Sequence, residues 1–203
     1  MEYFSDRARY ALVVRVPRPI EVAIEDDFLI PLGTTKPTMG YHITLLGPFY
    51  LPEEQDHTAF SRAVQEVCRR WRPFLVSVTG LGAFEKRDDN VIYLRLADSH
   101  RLVALHEELL EATREHIAFA DVEFLEESRG PYLPHITLGL ALTDRELAQF
   151  FRTAADRIPQ ITFRVSALWL VAQESSEPWR YVVGYPLDTA RQGELLSPDP
   201  HPY

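Results

Sequence analysis

The sequence predicts an α+β protein of two related lobes, each an antiparallel sheet with outer helices. Three observations predict it. The tetrapeptide His-Ile-Thr-Leu occurs at 42–45 and again at 135–138, each time in a short apolar run that reads as a strand. A helical pattern follows each copy, so both halves carry the same strand–helix unit. No GxGxxG or P-loop follows any strand, which argues against a parallel doubly wound sheet.

The elements follow in order. Tyr10 to Val16 reads as a strand stopped by Pro17 and Pro19. Ile20, Ile24 and Phe28 recur at helical spacing within a short helix over Ile20–Ile30, and Pro31 to Gly40 reads as a loop. Tyr41 to Leu46 is the first motif strand, closed by Gly47-Pro48. Glu53 to Trp71 is a helix with Phe60, Val64, Val67, Cys68 and Trp71 in one stripe, acids at its start and arginines at its end. Phe74 to Thr79 is a strand, Gly80-Leu81-Gly82 a bend, and Val91 to Leu96 the second arm of a hairpin. Ser99 is positioned to cap a helix reaching Phe119, with Leu102, Leu105, Leu109 and Leu110 on one face. After a polar loop from Glu126 to Pro134 comes the second motif strand, His135 to Leu140. Thr143 and Glu146 form a capping box for a helix of about thirteen residues. Ile161–Ala172 and Trp179–Pro186 read as two long closing strands. Residues 1–187 make one domain, and 188–203, with Ser197-Pro198-Asp199-Pro200, read as a disordered tail.

The chain has 203 residues, 46% hydrophobic and 25% charged, enough for a sizeable core. A formal net charge of −9 argues against tight binding to long nucleic acid, which needs a basic footprint. It leaves open a nucleotide or an RNA end, where a few local cations suffice. One cysteine, Cys68, allows neither an internal disulfide nor a cysteine-based zinc site. The polar N-terminus and the absence of any run of membrane-span length point to a cytoplasmic protein without a membrane partner, expected to be a monomer.

Side chains alternate faces along a strand, so His42 and Thr44 share one face and Ile43 and Leu45 the other. The same holds for His135 and Thr137 against Ile136 and Leu138. Two such pairs brought face to face supply two imidazoles titrating near neutrality and two hydroxyls. That set suits in-line attack on a phosphate ester, one histidine acting as base and the other as acid. A single His-x-Thr on a strand is usually just a satisfied polar residue; two identical copies in matching contexts are not readily a coincidence. Which histidine is acid and which is base is not assigned by the sequence.

The remaining histidines, His57, His100, His106, His116 and His201, form no HExxH and no pair at i, i+4, and read as helix-face or tail residues. No metal site and no cofactor are expected. Phe49 and Tyr50 after the first motif, and Tyr132 before the second, are candidates for stacking a base. Lys36, Arg129 and Arg180 are candidates for contacting phosphate.

These motifs, in this order, resemble the two-histidine (2H) phosphoesterase superfamily, the RNA 2′,5′-ligase-like proteins, whose signature is a pair of His-x-Ser/Thr motifs flanked by apolar residues. Pro73-Phe74 to Phe84 also resembles the family's central strand and bend, and Ile161 to Tyr185 its closing strand pair. The resemblance implies a bilobal α+β fold with a central groove and metal-independent chemistry on 2′,3′-cyclic phosphate or 2′,5′-linked nucleotides or RNA ends. It passes the acid/base and phosphate-binding roles to His42, Thr44, His135 and Thr137. Members acting on RNA 2′,3′-cyclic ends often carry an Arg soon after the second motif; here Gly139-Leu140-Ala141-Leu142 follows instead. Two rivals use the same residues: a non-catalytic nucleotide or RNA-end binding module, and a 2′,5′ RNA ligase.

Overall fold

A computed structural model describes residues 8–29, 36–51, 54–97, 99–119, 131–154, 160–175 and 177–188. Among them nine strands form two antiparallel sheets. The elements in chain order are β1 (Arg9–Arg15), α1 (Arg18–Ile24), β2 (His42–Tyr50), α2 (Glu54–Arg70), β3 (Phe74–Phe84), β4 (Asn90–Leu96), α3 (His100–Thr113), β5 (Ala118–Phe119), β6 (His135–Leu142), α4 (Asp144–Ala154), β7 (Thr162–Val165), β8 (Ala167–Gln173) and β9 (Arg180–Pro186). The five-stranded sheet has the order β5-β2-β1-β8-β9, and the four-stranded sheet the order β6-β4-β3-β7. Each motif strand is followed by a helix, as the repeat predicts. The two motif strands, one from each sheet, pack against each other.

A single core backs both sheets. Ile43, Leu45, Ile136 and Leu138 are at most 1% exposed, so the apolar half of each motif anchors its strand as alternation requires. Each such side chain contributes about 1.5–3 kcal/mol on full burial. Phe60, Val64, Val67 and Cys68 of α2 and Leu102, Leu105 and Leu109 of α3 join the same core, as do Ile24 at the end of α1 and Phe28 in the turn that follows it. Burial pushes the Cys68 thiol up to about 12. Arg70 Nε and Trp71 Nε1 both donate to Glu108, at 2.8 and 2.6 Å, clamping the end of α2 to α3. At α4 the capping box forms: the Thr143 N–H and hydroxyl donate to Glu146 Oε2 at 2.9 and 2.8 Å, and the Glu146 N–H returns to Thr143 Oγ1 at 3.3 Å.

Several boundaries differ from the sequence reading, each for a tertiary reason. The stretch 161–172 is two strands in different sheets; the chain crosses at Ser166, whose carbonyl accepts the Leu187 N–H at 2.9 Å. Gly47-Pro48 does not close β2, which runs through a cis Gly47–Pro48 bond to Tyr50; β2 bulges there, with an extra residue in the stretch from Leu46 to Phe49 that faces Tyr10 to Leu12 of β1. Gly80–Gly82 is strand, not bend: β3 pairs with β7 through its first half and with β4 through its second. The Ser99 side chain makes no cap bond, and α3 stops at Thr113, after which Ala118–Phe119 pairs with Phe49 and Tyr50. The helix predicted over 20–30 is α1 followed by a π-helical turn at Glu25–Leu29. The predicted tail from 189 onward, and Arg129, lie outside the described residues.

Candidate active site

His42 and Thr44 project from β2 on the face away from the core, and His135 and Thr137 do so from β6. Cross-strand partners share a face, so register extends each pair sideways. On the five-stranded sheet Arg15 lies opposite His42, Val13 opposite Thr44, and Trp169 opposite Val13. On the four-stranded sheet Arg95 lies opposite His135, Tyr93 opposite Thr137, and Gly82 opposite Tyr93. Each motif histidine therefore has an arginine as its lateral neighbour, an arrangement that only strand pairing reveals.

Both imidazoles are held in the same way. The His42 Nδ1–H donates to the Gly40 carbonyl at 3.0 Å, and the His135 Nδ1–H donates to the Leu133 carbonyl at 2.8 Å. A carbonyl can only accept, so the neutral ring carries its proton on Nδ1 and leaves the Nε2 lone pair for a ligand. Burial lowers the pKa of each ring below the usual histidine value. The charge of the His135 imidazole lowers that of His42 further, so the two rings lie within electrostatic reach of each other.

The segment before β2 is held by a buried carboxylate. Glu21, 0% exposed, accepts the Tyr41 N–H on Oε1 at 3.0 Å and pairs through Oε2 with Arg18 at 3.2 Å. Gly40, whose carbonyl orients His42, sits at φ +75, and a Cβ there would meet Glu21 Oε1 at 2.3 Å. Only glycine fits that position. On the other side, Tyr93 and Phe84 pack against His135 with ring centroids 5.1 and 5.0 Å away. Gly82 permits this, since a Cβ there would lie 2.5 Å from the Tyr93 ring.

The other sequence candidates divide. Phe49 is 0% exposed and packs on Phe60 at 5.1 Å, so it is a core residue and not a stacking surface, because β2 continues past the proline and turns it inward. Tyr132 stacks on His106 at 4.0 Å and donates its hydroxyl to the Thr44 carbonyl at 2.7 Å, so one ring face is already covered. His106 itself, expected only as a helix-face residue, donates to the Leu45 carbonyl at 2.6 Å. Lys36 pairs with Glu25 at 2.6 Å and Arg180 pairs with Glu174. Glu21, Arg15 and Arg95 were not singled out from the sequence; a lone Glu or Arg in a chain with 30 acids and 21 bases carries no signal without the register.

Comparison with known proteins agrees with this architecture. The family model of the 2′-5′ RNA ligase superfamily matches residues 39–177, a span holding both motif strands. A Bacillus cytotoxicus protein named "Putative phosphoesterase" is 28% identical over 138 residues, 68% of this chain and 73% of that one. A Bacillus anthracis protein of the same name is 31% identical over 107 residues, and the match spans about half of each chain, 53% and 55%. TT0787 of Thermus thermophilus superposes with a TM-score of 0.61 at 21% identity, covering 90% of this chain and all of that one. E. coli LigT complexed with 3′-AMP superposes at 0.60 with 17% identity over 89% of this chain and 98% of that one, and Kluyveromyces marxianus Usb1 with uridine monophosphate at 0.56 with 15% identity over 90% and 100%. At these identities the superpositions speak for the fold. With the family model spanning about two thirds of its length and both motifs, this chain belongs to the 2′-5′ RNA ligase superfamily.

Proposed function

We propose that this chain is a metal-independent phosphoesterase acting on 2′,3′-cyclic phosphate or 2′,5′-linked nucleotides and RNA ends. His42 and His135 act as the acid/base pair, and Thr44 and Thr137 donate hydroxyl hydrogen bonds to the phosphate. The observation that carries this reading is the matched pair of imidazoles, each with Nδ1 engaged by a carbonyl two residues upstream and Nε2 left for a ligand. When a cyclic phosphate opens, one neutral Nε2 takes a proton from water as the water oxygen bonds to phosphorus. The P–O bond to the ribose breaks, and the other, protonated Nε2 gives its proton to that oxygen. The product is a phosphomonoester, and the two imidazoles have exchanged protonation states. The hydroxyls meet charge that grows on the non-bridging oxygens during attack. The names of the relatives support a phosphoesterase, and the 3′-AMP and uridine monophosphate bound to LigT and Usb1 support a nucleotide ligand. A cytoplasmic site of action belongs to the same reading.

The test is turnover of a 2′,3′-cyclic nucleotide by purified protein in EDTA. Wild-type protein should release the monophosphate, and His42→Ala and His135→Ala should each lose roughly 10²–10⁴-fold in rate. Tight binding without turnover across cyclic and 2′,5′-linked substrates would favour a binding module instead.

A further inference from the structure

We propose that Tyr181 is a positioning residue for His42. Its hydroxyl fixes one of the two peptide planes that meet at Gly40, and through them keeps the proton of the neutral imidazole on Nδ1. The catalytic consequence rests on the phosphoesterase reading above; the tautomer rests on the hydrogen bonds alone.

The carbonyl that orients His42 belongs to a glycine, the residue with the freest backbone, held at φ +75. A peptide plane beside a glycine turns easily unless both its ends are bonded. Here both planes are bonded at both ends. In the peptide joining Gly40 to Tyr41, the carbonyl accepts the His42 Nδ1–H at 3.0 Å and the N–H donates to Glu21 Oε1 at 3.0 Å. In the peptide joining Met39 to Gly40, the N–H donates to the Pro37 carbonyl at 2.9 Å and the carbonyl accepts the Tyr181 hydroxyl at 3.1 Å. Pro37 and His42 are close in sequence, whereas Glu21 comes from α1 and Tyr181 from β9, which has β8 and β1 between it and β2.

The Tyr181 ring is itself held in place. Trp169 of β8 meets it edge-on at 5.7 Å, and the guanidinium of Arg15 at the end of β1 lies over it, 5.0 Å from its centroid. Met39, whose carbonyl it binds, is buried with Ala11, Val13 and Val171 in a small apolar cluster separate from the main core, and Trp169 and Tyr181 pack against that cluster. The phenol is thus a strut set by three strands and aimed at the segment that leads into the fourth.

Which nitrogen of an imidazole carries the proton is set by the hydrogen bond the other makes. With Nδ1–H held by Gly40, the His42 Nε2 takes a proton as base, or gives one as acid and returns to the same neutral form. Removing the Tyr181 hydroxyl takes one of two restraints from the Met39–Gly40 plane. The Gly40 carbonyl then loses alignment with Nδ1, and the Nε2–H tautomer, which has no lone pair on Nε2, becomes populated. His135 is held by the Leu133 carbonyl before a strand of the other sheet and is not touched by this change.

The test is Tyr181→Phe in the full chain, which keeps the ring against Trp169 and Arg15. Nitrogen NMR with both rings neutral reads the two tautomers directly. In the wild type both motif histidines should be Nδ1–H. In Tyr181→Phe, His42 should populate the Nε2–H form while His135 stays as it was, a difference that general loosening of the fold does not produce. On adenosine 2′,3′-cyclic phosphate, kcat should fall roughly 2- to 12-fold, the worth of one hydrogen bond, with KM little changed. An unchanged His42 tautomer, an equal change in both rings, or a rise in KM alone would overturn the proposal. Should the variant fail to fold, the wild type decides: the Tyr181 hydroxyl proton should exchange slowly with water, and rapid exchange would refute the strut. A tautomer change confined to His42, with no turnover of cyclic or 2′,5′-linked substrates by the wild type, would uphold the positioning role and sink the phosphoesterase. Wild-type turnover that His42→Ala abolishes, with His42 unmoved in Tyr181→Phe, would do the reverse.

Discussion

The Tyr132 hydroxyl donates to the Thr44 backbone carbonyl at 2.7 Å, joining the segment that leads into one motif strand to the middle of the other. His106 reinforces the joint by stacking on the Tyr132 ring and donating to the neighbouring Leu45 carbonyl. Burial raises the Tyr132 pKa, so the phenol stays protonated and remains a donor throughout the working pH range. Tyr132→Phe removes one hydrogen bond while keeping the ring. The expected loss is about 0.5–1.5 kcal/mol of stability, or roughly 2–4 °C in Tm per kcal/mol for a chain of this size. Because the bond sets the spacing of the two motif strands, kcat/KM should fall by more than this stability loss conveys. Unchanged kinetics together with an unchanged Tm would show that the strands hold their spacing without it.

Gly40 and Glu21 support a second prediction. Gly40→Ala forces a left-handed backbone on a residue with a Cβ and drives that Cβ into a buried carboxylate. A non-glycine residue held in that region costs about 1–3 kcal/mol before the clash is counted. Glu21→Ala leaves the Tyr41 N–H without its acceptor, a cost of about 1–3 kcal/mol for a buried group. Glu21→Gln retains an acceptor oxygen for that N–H and should recover most of the activity that Glu21→Ala loses. If Gln and Ala proved equally impaired, the ion pairs with Arg18 and Lys36, not the hydrogen bond, would be what holds the segment.

What could be read in the sequence was what is local. His42, Thr44, His135 and Thr137 announce themselves by repetition, and their faces follow from alternation. The capping box at Thr143 needs only four residues in a row and formed as expected. What depends on which strand lies beside which could not be read. Nothing in residues 161–172 says that Ser166 hands the chain from one sheet to the other, since both halves are β-rich and apolar. Phe49 lies close to His42 in sequence, yet it belongs to the core, because β2 passes through Pro48 and a bulge in β2 carries its pairing with β1 on to Tyr10. Arg15 and Arg95 gain meaning only from register, and Glu21 acts on His42 from a different element, through a glycine whose need for φ +75 leaves no trace but the glycine itself.

The pH dependence of the rate follows from the two depressed imidazoles. One must be neutral and the other protonated, so kcat/KM follows a bell set by the two pKa values of the free protein. Burial lowers both below 6.5, and mutual repulsion lowers the first of them further. The kcat/KM optimum should therefore lie on the acid side of 6.5. Bound phosphate diester, a fixed anion between the rings, raises both values in the complex, so the kcat optimum should lie at higher pH than that of kcat/KM. Initial rates from pH 4.5 to 9 at low and at saturating substrate separate the two profiles. A kcat/KM that rises monotonically to alkaline pH would remove the need for a protonated histidine.

The same shifts act on stability, and the sign can be worked out. A histidine whose pKa is lower in the folded protein binds fewer protons folded than unfolded over the window between the two values. Its contribution is fully present above the unfolded value near 6.5 and is lost as pH falls through the lower folded value. His42 and His135 both fall in this class, so Tm should decline as pH drops from 7.5 to 5. Replacing either ring by the uncharged Gln removes a group that must be desolvated or charged, and should flatten the decline even if it costs stability at pH 7.5 through the lost Nδ1 bond. Saturating inorganic phosphate should also oppose the decline, because an anion between the rings stabilises their charged forms in the folded state and, by binding it alone, raises Tm. A Tm that falls with pH as steeply in both Gln variants as in the wild type would assign the acid sensitivity to other groups, and would separate the burial of these imidazoles from the energetics of the fold.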